Sequence, residues 1–176
     1  MSTTIAAIGT ALSNSGISII RISGNNSLNI VNKIFKSSAK LEPNHIIYGK
    51  ILDNGEVLDN VLVSYFKAPH SYTGEDVCEI NCHGGNQVTK EILELVLESG
   101  ATLAEPGEFS KRAFLNGKMD LSQAEAVINL INAKTKTESR IAAKNMEGDL
   151  SKKIRELREE LVELMAQIEV SVDYPE

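Results

Sequence analysis

The sequence predicts an α+β protein, in which a mixed-sheet domain over residues 1–118 is followed by an all-α helical segment over residues 119–176. Three observations carry this. The first part alternates short β-branched runs with helical stripes and contains an Asn-Gly hairpin signal. From residue 120 onward there is no interior proline before the final four residues, and one glycine, Gly148. The whole chain of 176 residues is 42% hydrophobic and 24% charged, with 12 Gly and 4 Pro. That is ordinary globular composition, sufficient for a sizeable core and for one domain or one and a fraction.

Thr4–Ile8 and Ile17–Ile22 read as strands around a Ser13-Asn14-Ser15-Gly16 loop. Gly24-Asn25-Asn26-Ser27 offers a helix start, and Leu28, Val31, Ile34 and Phe35 give its stripe. His45–Leu52 and Val57–Phe66 flank Asp53-Asn54-Gly55-Glu56, where Asn-Gly supplies the two positive φ angles of a tight hairpin. After an Ala68–Gly74 loop, Val77–Cys82 is a strand and Gly84-Gly85 a turn. A helix follows over Gln87–Ser99, with Val88, Ile92, Leu95 and Val96 inward and Gly100 as the residue that ends it. Ala101–Ala104 is a last strand, and Pro106-Gly107 opens a short helix, Glu108–Leu115, closed by Gly117.

In the second part, Asp120 with Gln123 is a capping-box-like start to a helix striped by Leu121, Ala124, Val127, Ile128 and Ile131. A second helix is expected from about Thr137 to Val172. Its Leu150, Ile154, Leu157, Leu161, Leu164 and Ile168 form a heptad seam that should pack on partner helices. The end at Asp173-Tyr174-Pro175-Glu176 looks like a cut at a domain edge.

Net charge is −6 and the pI about 5.2. Phosphate neutralisation needs clustered Lys and Arg, so a dedicated nucleic-acid grip is not expected. No apolar run is long enough to span a membrane, and Met1-Ser2-Thr3-Thr4 lacks the basic start of a secretory signal. Two cysteines make no disulfide framework, so the expected compartment is the reducing cytoplasm.

Along Val77–His83, side chains alternate faces. Cys78, Ile80 and Cys82 point one way, and Glu79, Asn81 and His83 the other. The second row is either a solvated sheet face or the wall of a polar pocket. Cys78, Cys82 and His83 do not share a face, and no second Cys or His pair lies nearby, so buried inert thiols fit better than zinc. Arg21, inside Ile17–Ser23, must be paired, placed at an edge, or set to grip an anionic or polarised ligand. Lys111, Arg112 and Lys118 in Pro106–Leu121 either hold an anion or belong to a well-capped joint between the two parts. No G-x-x-x-x-G-K-[ST] loop is present: Gly117-Lys118 is followed by Met119, and Gly84-Gly85 lacks the lysine.

Thr4–Ile8, Ile17–Gly24, Lys67–Asp76, Cys82–Gly85 and Pro106–Leu121 resemble the N-terminal region of the tRNA modification GTPase family MnmE, also called TrmE. Gln123–Val127 and Val172–Glu176 resemble the start of that family's helical domain. The resemblance implies a tetrahydrofolate-binding, homodimerising N-terminal domain over 1–118 and the first helices of the helical domain over 119–176. The GTPase domain, with its GTP, Mg and K sites, would lie outside this chain, which alone should not hydrolyse GTP. The resemblance further implies work with the flavoprotein MnmG on the wobble uridine of tRNA, installing an aminomethyl-type group. The folate, 5-formyl- or 5,10-methylene-tetrahydrofolate, is taken to carry the one-carbon unit.

Carried over position by position, the folate contacts are Arg21, Glu79 and Lys118. A carboxylate such as Glu79 can accept from the pterin amino group and ring N–H, and a basic side chain can pair with the glutamate tail. The family's Pro-Pro-Gly loop after the first strand reads Ala11-Leu12-Ser13-Asn14-Ser15-Gly16 here, where only Gly16 matches. The alternative to folate binding is an assembly module that dimerises or docks a partner without ligand.

Overall fold

The computed structural model describes residues 3–173; the expectations for Met1-Ser2 and for Tyr174–Glu176 lie outside them. The fold is α+β, and the chain divides into two compact units, Met1–Lys118 and Met119–Glu176.

Among the described residues of the first unit, seven strands form one sheet: β1 (Ile5–Ile8), β2 (Ser15–Ser23), β3 (Phe35–Lys36), β4 (Ile46–Asp53), β5 (Glu56–Phe66), β6 (Val77–Gly84) and β7 (Thr102–Leu103). Their order is β3-β4-β5-β6-β2-β1-β7, with antiparallel pairing throughout except for parallel β1–β7. The helices are α1 (Ser27–Ile34), α2 (Asn86–Glu98) and α3 (Glu108–Leu115). Ile30, Val31 and Ile34 of α1 and Ile92 and Val96 of α2 pack on Ile20, Ile22, Ile80, Cys82, Val61 and Val63 of the sheet, all buried. Pairing by period-2 alternation leaves the other sides of β2, β6, β5 and β4 as a second, more open face.

Several local expectations hold. Asn54 and Gly55 both take positive φ, 47° and 91°, at the β4–β5 hairpin. Gly100, at φ 117°, follows α2. Others are corrected. Ser15 and Gly16 belong to β2 rather than to a loop, because Ser15 already pairs with Gly84 ahead of a bulge that ends at Ser18. Phe35 leaves the helix and starts β3, where its ring lies against Gly49; a Cβ built there would stand 2.5 Å from that ring and from the Lys36 carbonyl.

The second unit is helical among its described residues: α4 (Leu121–Asn132), α5 (Lys136–Met146) and α6 (Asp149–Asp173). Asp120 caps α4 with the expected reciprocal box to Gln123, and Thr135 caps α5 in the same way with Glu138. The single long helix is corrected to two, because Gly148 takes φ 89° and ends α5 before α6 begins. The seam residues Ile154, Leu157, Leu161, Leu164 and Ile168 are all more than half exposed. No helix of the described residues is long and apolar enough to cross a membrane.

Candidate functional site

Register brings the first two candidates together. Arg21 of β2 pairs directly with Glu79 of β6, so their side chains share one face. Arg21 Nε donates to Glu79 Oε1 at 2.7 Å. The pair is partly open, with side chains 34% and 20% exposed. The Arg21 guanidinium also lies over two rings, 5.4 Å from the centre of Tyr72 and 5.8 Å from that of Phe109, within cation–π range. Tyr72 belongs to the loop between β5 and β6 and Phe109 to α3, and Tyr72 Oη and Ser110 Oγ share a 2.8 Å hydrogen bond. The arginine in an apolar strand is therefore paired, yet only its Nε is engaged by the acid.

Lys118 reaches the same loop from its other end. Gly117, at φ 69°, closes α3, and the Lys118 N–H turns back to the Ala113 carbonyl at 2.8 Å. Its Nζ then donates to the Pro69 carbonyl at 3.0 Å, with its methylenes beside Gly74. The three carried-over residues thus surround one loop: Arg21 and Glu79 are in direct contact, and Lys118 is joined to them through residues 69–74.

The rest of the polar row is tied down as well. His83 Nδ1 meets Asp59 Oδ1 at 2.6 Å, while the His83 backbone N–H donates to Asp59 Oδ2 at 2.8 Å. Asn81 donates to the Leu62 carbonyl at 3.4 Å. On the opposite face Cys78 is fully buried, and burial pushes its thiol up to about 12, so it is unsuited to act as a thiolate. Among the described residues no group of three His, Cys, Asp or Glu side chains is placed to hold a metal.

Arg112 departs from the anion-holding role considered for it. Its guanidinium donates to Glu75 (3.1 Å), to Glu108 (2.9 Å) and to the Thr3 carbonyl (2.8 Å), and the arginine and both acids are largely buried. Burial alone would raise the Glu108 carboxyl. Hydrogen bonds from the Glu105 N–H and the Arg112 guanidinium, with the charges of Arg112 and Lys111, hold it below the ordinary value instead. Burial would likewise lower Arg112, but its bonds to Glu108 and Glu75 and their charges raise it. Sequence reasoning missed Glu75, Tyr72 and Phe109. Each sits in a run already singled out, but no spacing rule brings residues 72, 75 and 109 together with residue 21.

Residues 4–118 match the family model for the GTP-binding protein TrmE N-terminus, and residues 121–176 that for the MnmE helical domain. The chain belongs to the MnmE family. Proteins named tRNA modification GTPase MnmE from Clostridioides difficile and Acetivibrio thermocellus are 54% and 57% identical to it over 98% of its length. One from Carboxydothermus hydrogenoformans is 50% identical over all of it. The chain spans about two fifths of these MnmE relatives, 39% of the first two and 40% of the third. The boundary between the two matched MnmE regions falls where the two compact units meet in sequence.

Proposed function

We propose that residues 1–118 form a reduced-folate-binding, homodimerising domain and residues 119–176 the first helices of the helical domain of a cytoplasmic GTPase. With an MnmG-type flavoprotein, that GTPase modifies the wobble uridine of tRNA. Membership of the MnmE family supports the parent activity. The observation that carries the ligand reading is the Arg21–Glu79 pair, whose guanidinium lies over Tyr72 and Phe109.

The residues fit a folate. Glu79 accepts one bond from Arg21, and a carboxylate has further lone pairs for the amino and ring N–H donors of a pterin. The terminal nitrogens of Arg21 suit a ring carbonyl or a carboxylate, and exposed Lys118 suits the anionic glutamate tail. Tyr72 and Phe109 offer aromatic surface for a flat heterocycle. When bound, 5-formyl- or 5,10-methylene-tetrahydrofolate would supply the one-carbon unit, and the chain's own task is to hold and orient it.

The open sheet face supports the dimer. Tyr48, Leu62 and Asn81 are successive partners across β4, β5 and β6, and Tyr48, Leu62 and Ile17 are exposed on a folded unit. GTP, Mg and K belong to residues outside this chain, which has no phosphate loop.

Titration calorimetry with 5-formyltetrahydrofolate tests the reading. Saturable binding that Glu79→Ala markedly weakens is the expected result. A folded, dimeric sample that gives no heat would leave the assembly module as the function.

A further inference from the structure

We propose that Arg112, 11% exposed and hydrogen-bonded to Glu75, Glu108 and Thr3, is a positioning residue that fixes the two rings stacked with Arg21; its bearing on folate rests on the reading of the site given above.

The connections run through two short paths. In the first, Arg112 holds Glu75, and Glu75 Oε2 accepts from Ser23 Oγ at 2.8 Å. Ser23 and Thr73 share a 2.7 Å hydrogen bond between their hydroxyls, and both are fully buried. Thr73 directly follows Tyr72, so the backbone that aims the Tyr72 ring is locked from beneath. In the second, Arg112 holds Glu108 one turn earlier on α3, between which lie Phe109 and Ser110. Phe109 lies over Arg21, and Ser110 bonds Tyr72. One guanidinium therefore clamps the loop and the helix that each contribute a ring. Its third bond, to the Thr3 carbonyl, anchors the clamp just ahead of β1, the neighbour of β2. A planar fork with five donors can serve three acceptors at once, which an ammonium on a flexible stem does less well.

The node is largely shielded from solvent and far more elaborate than a helix-surface pair requires. Glu108 and Arg112 alone would be an ordinary i,i+4 pair. The addition of Glu75, Ser23 and Thr73 is what extends it to the ring that meets Arg21. Such supporting shells are what keep a binding side chain in one rotamer.

The test uses the 176-residue chain with Arg112→Gln and Arg112→Lys, the latter keeping the charge but not the fork. The first readout is the NMR signal of the Arg21 Nε–H, which ring currents from Tyr72 and Phe109 and the bond to Glu79 displace from that of an unstructured arginine. Expected is a shift of this signal toward the unstructured position in both variants, larger in Arg112→Gln, with the backbone amide signals of β2 and β6 unmoved. The second readout is affinity for 5-formyltetrahydrofolate. It should weaken by roughly tenfold or more, and combining Arg112→Lys with Tyr72→Ala should cost clearly less than the sum of the two single losses, since only the Phe109 path is left for Arg112 to serve. An unmoved Arg21 signal in a folded variant, or additive losses with Tyr72→Ala, overturns the proposal. If the unaltered chain binds no reduced folate, the folate reading falls, while the Arg21 signal still decides whether Arg112 positions the rings. If Arg112→Gln fails to fold, Arg112→Lys and Glu75→Gln carry the same two outcomes.

Discussion

Arg21 and Glu79 are direct register partners on β2 and β6, joined by a 2.7 Å bond that uses one nitrogen of the arginine and one oxygen of the acid. The pair is partly solvated, so its Coulomb attraction is screened and its worth to folding is small, about 0.5 kcal/mol. A charge-assisted bond from a bound pterin to the same carboxylate is worth more, about 2 kcal/mol. Glu79→Ala should therefore lower the melting temperature little and weaken reduced-folate binding by roughly thirtyfold or more. Thermal melting and calorimetry on one preparation separate the two effects. Equal losses in both would mean that the pair is structural only.

Lys118 and Gly117 make a second separable pair. Lys118→Met removes an exposed ammonium whose one protein partner among the described residues is the Pro69 carbonyl. Melting should be nearly unchanged, with folate affinity several-fold weaker. Gly117→Ala keeps the lysine but forces a Cβ into φ 69°, at a cost of about 1 kcal/mol. It should lower both melting temperature and affinity, because it disturbs the turn that delivers Lys118 to the loop.

Acid should loosen the Arg112 node. The Glu108 carboxyl is held below its ordinary value of 4.5 in the folded chain. A group depressed on folding contributes stability that is present above its unfolded value and is lost as pH falls through its folded value. The first unit should thus lose melting temperature as pH falls below the ordinary carboxylate range. Glu108→Gln should be less stable than the parent at neutral pH, with a shallower fall in acid. Parallel acid limbs in the two proteins would remove Glu108 from the account. Asp120, depressed by bonds from Ser151 and the Gln123 N–H, adds an acid limb of the same sign in the second unit.

The features legible in the sequence were those with short periods. Alternation along Val77–His83 separated buried Cys78, Ile80 and Cys82 from the face of Glu79, and Asn54-Gly55 fixed a hairpin. Asp120 with Gln123 marked a helix start. Two-residue β3 has no period to read, and Phe35 continues the helical stripe of α1 until Gly49 admits its ring. The heptad seam begins only at Leu150, after Gly148, so its periodicity did not bear on the break, although an isolated glycine in a helical pattern is the signal for one. In the site, Arg21, Glu79 and Lys118 each stood out by residue type and position, and resemblance supplied their grouping. Tyr72, Glu75, Phe109 and Arg112 depend on long-range packing between a loop and a helix that no local rule predicts.

Gly49 offers a direct check on the edge of this sheet. A Cβ there would stand 2.5 Å from the Lys36 carbonyl and from the Phe35 ring. The first is backbone and the second is wedged in the core, so neither yields without moving β3. Gly49→Ala should cost about 2 kcal/mol, the scale of overpacking in a filled interior. Gly16→Ala is the control: a Cβ there meets nothing within 4 Å, and its effect should stay within about 0.5 kcal/mol. Urea unfolding of both proteins measures the difference. A Gly49→Ala chain as stable as the parent would mean that β3 is not held against β4 as tightly as the Phe35–Gly49 contact requires.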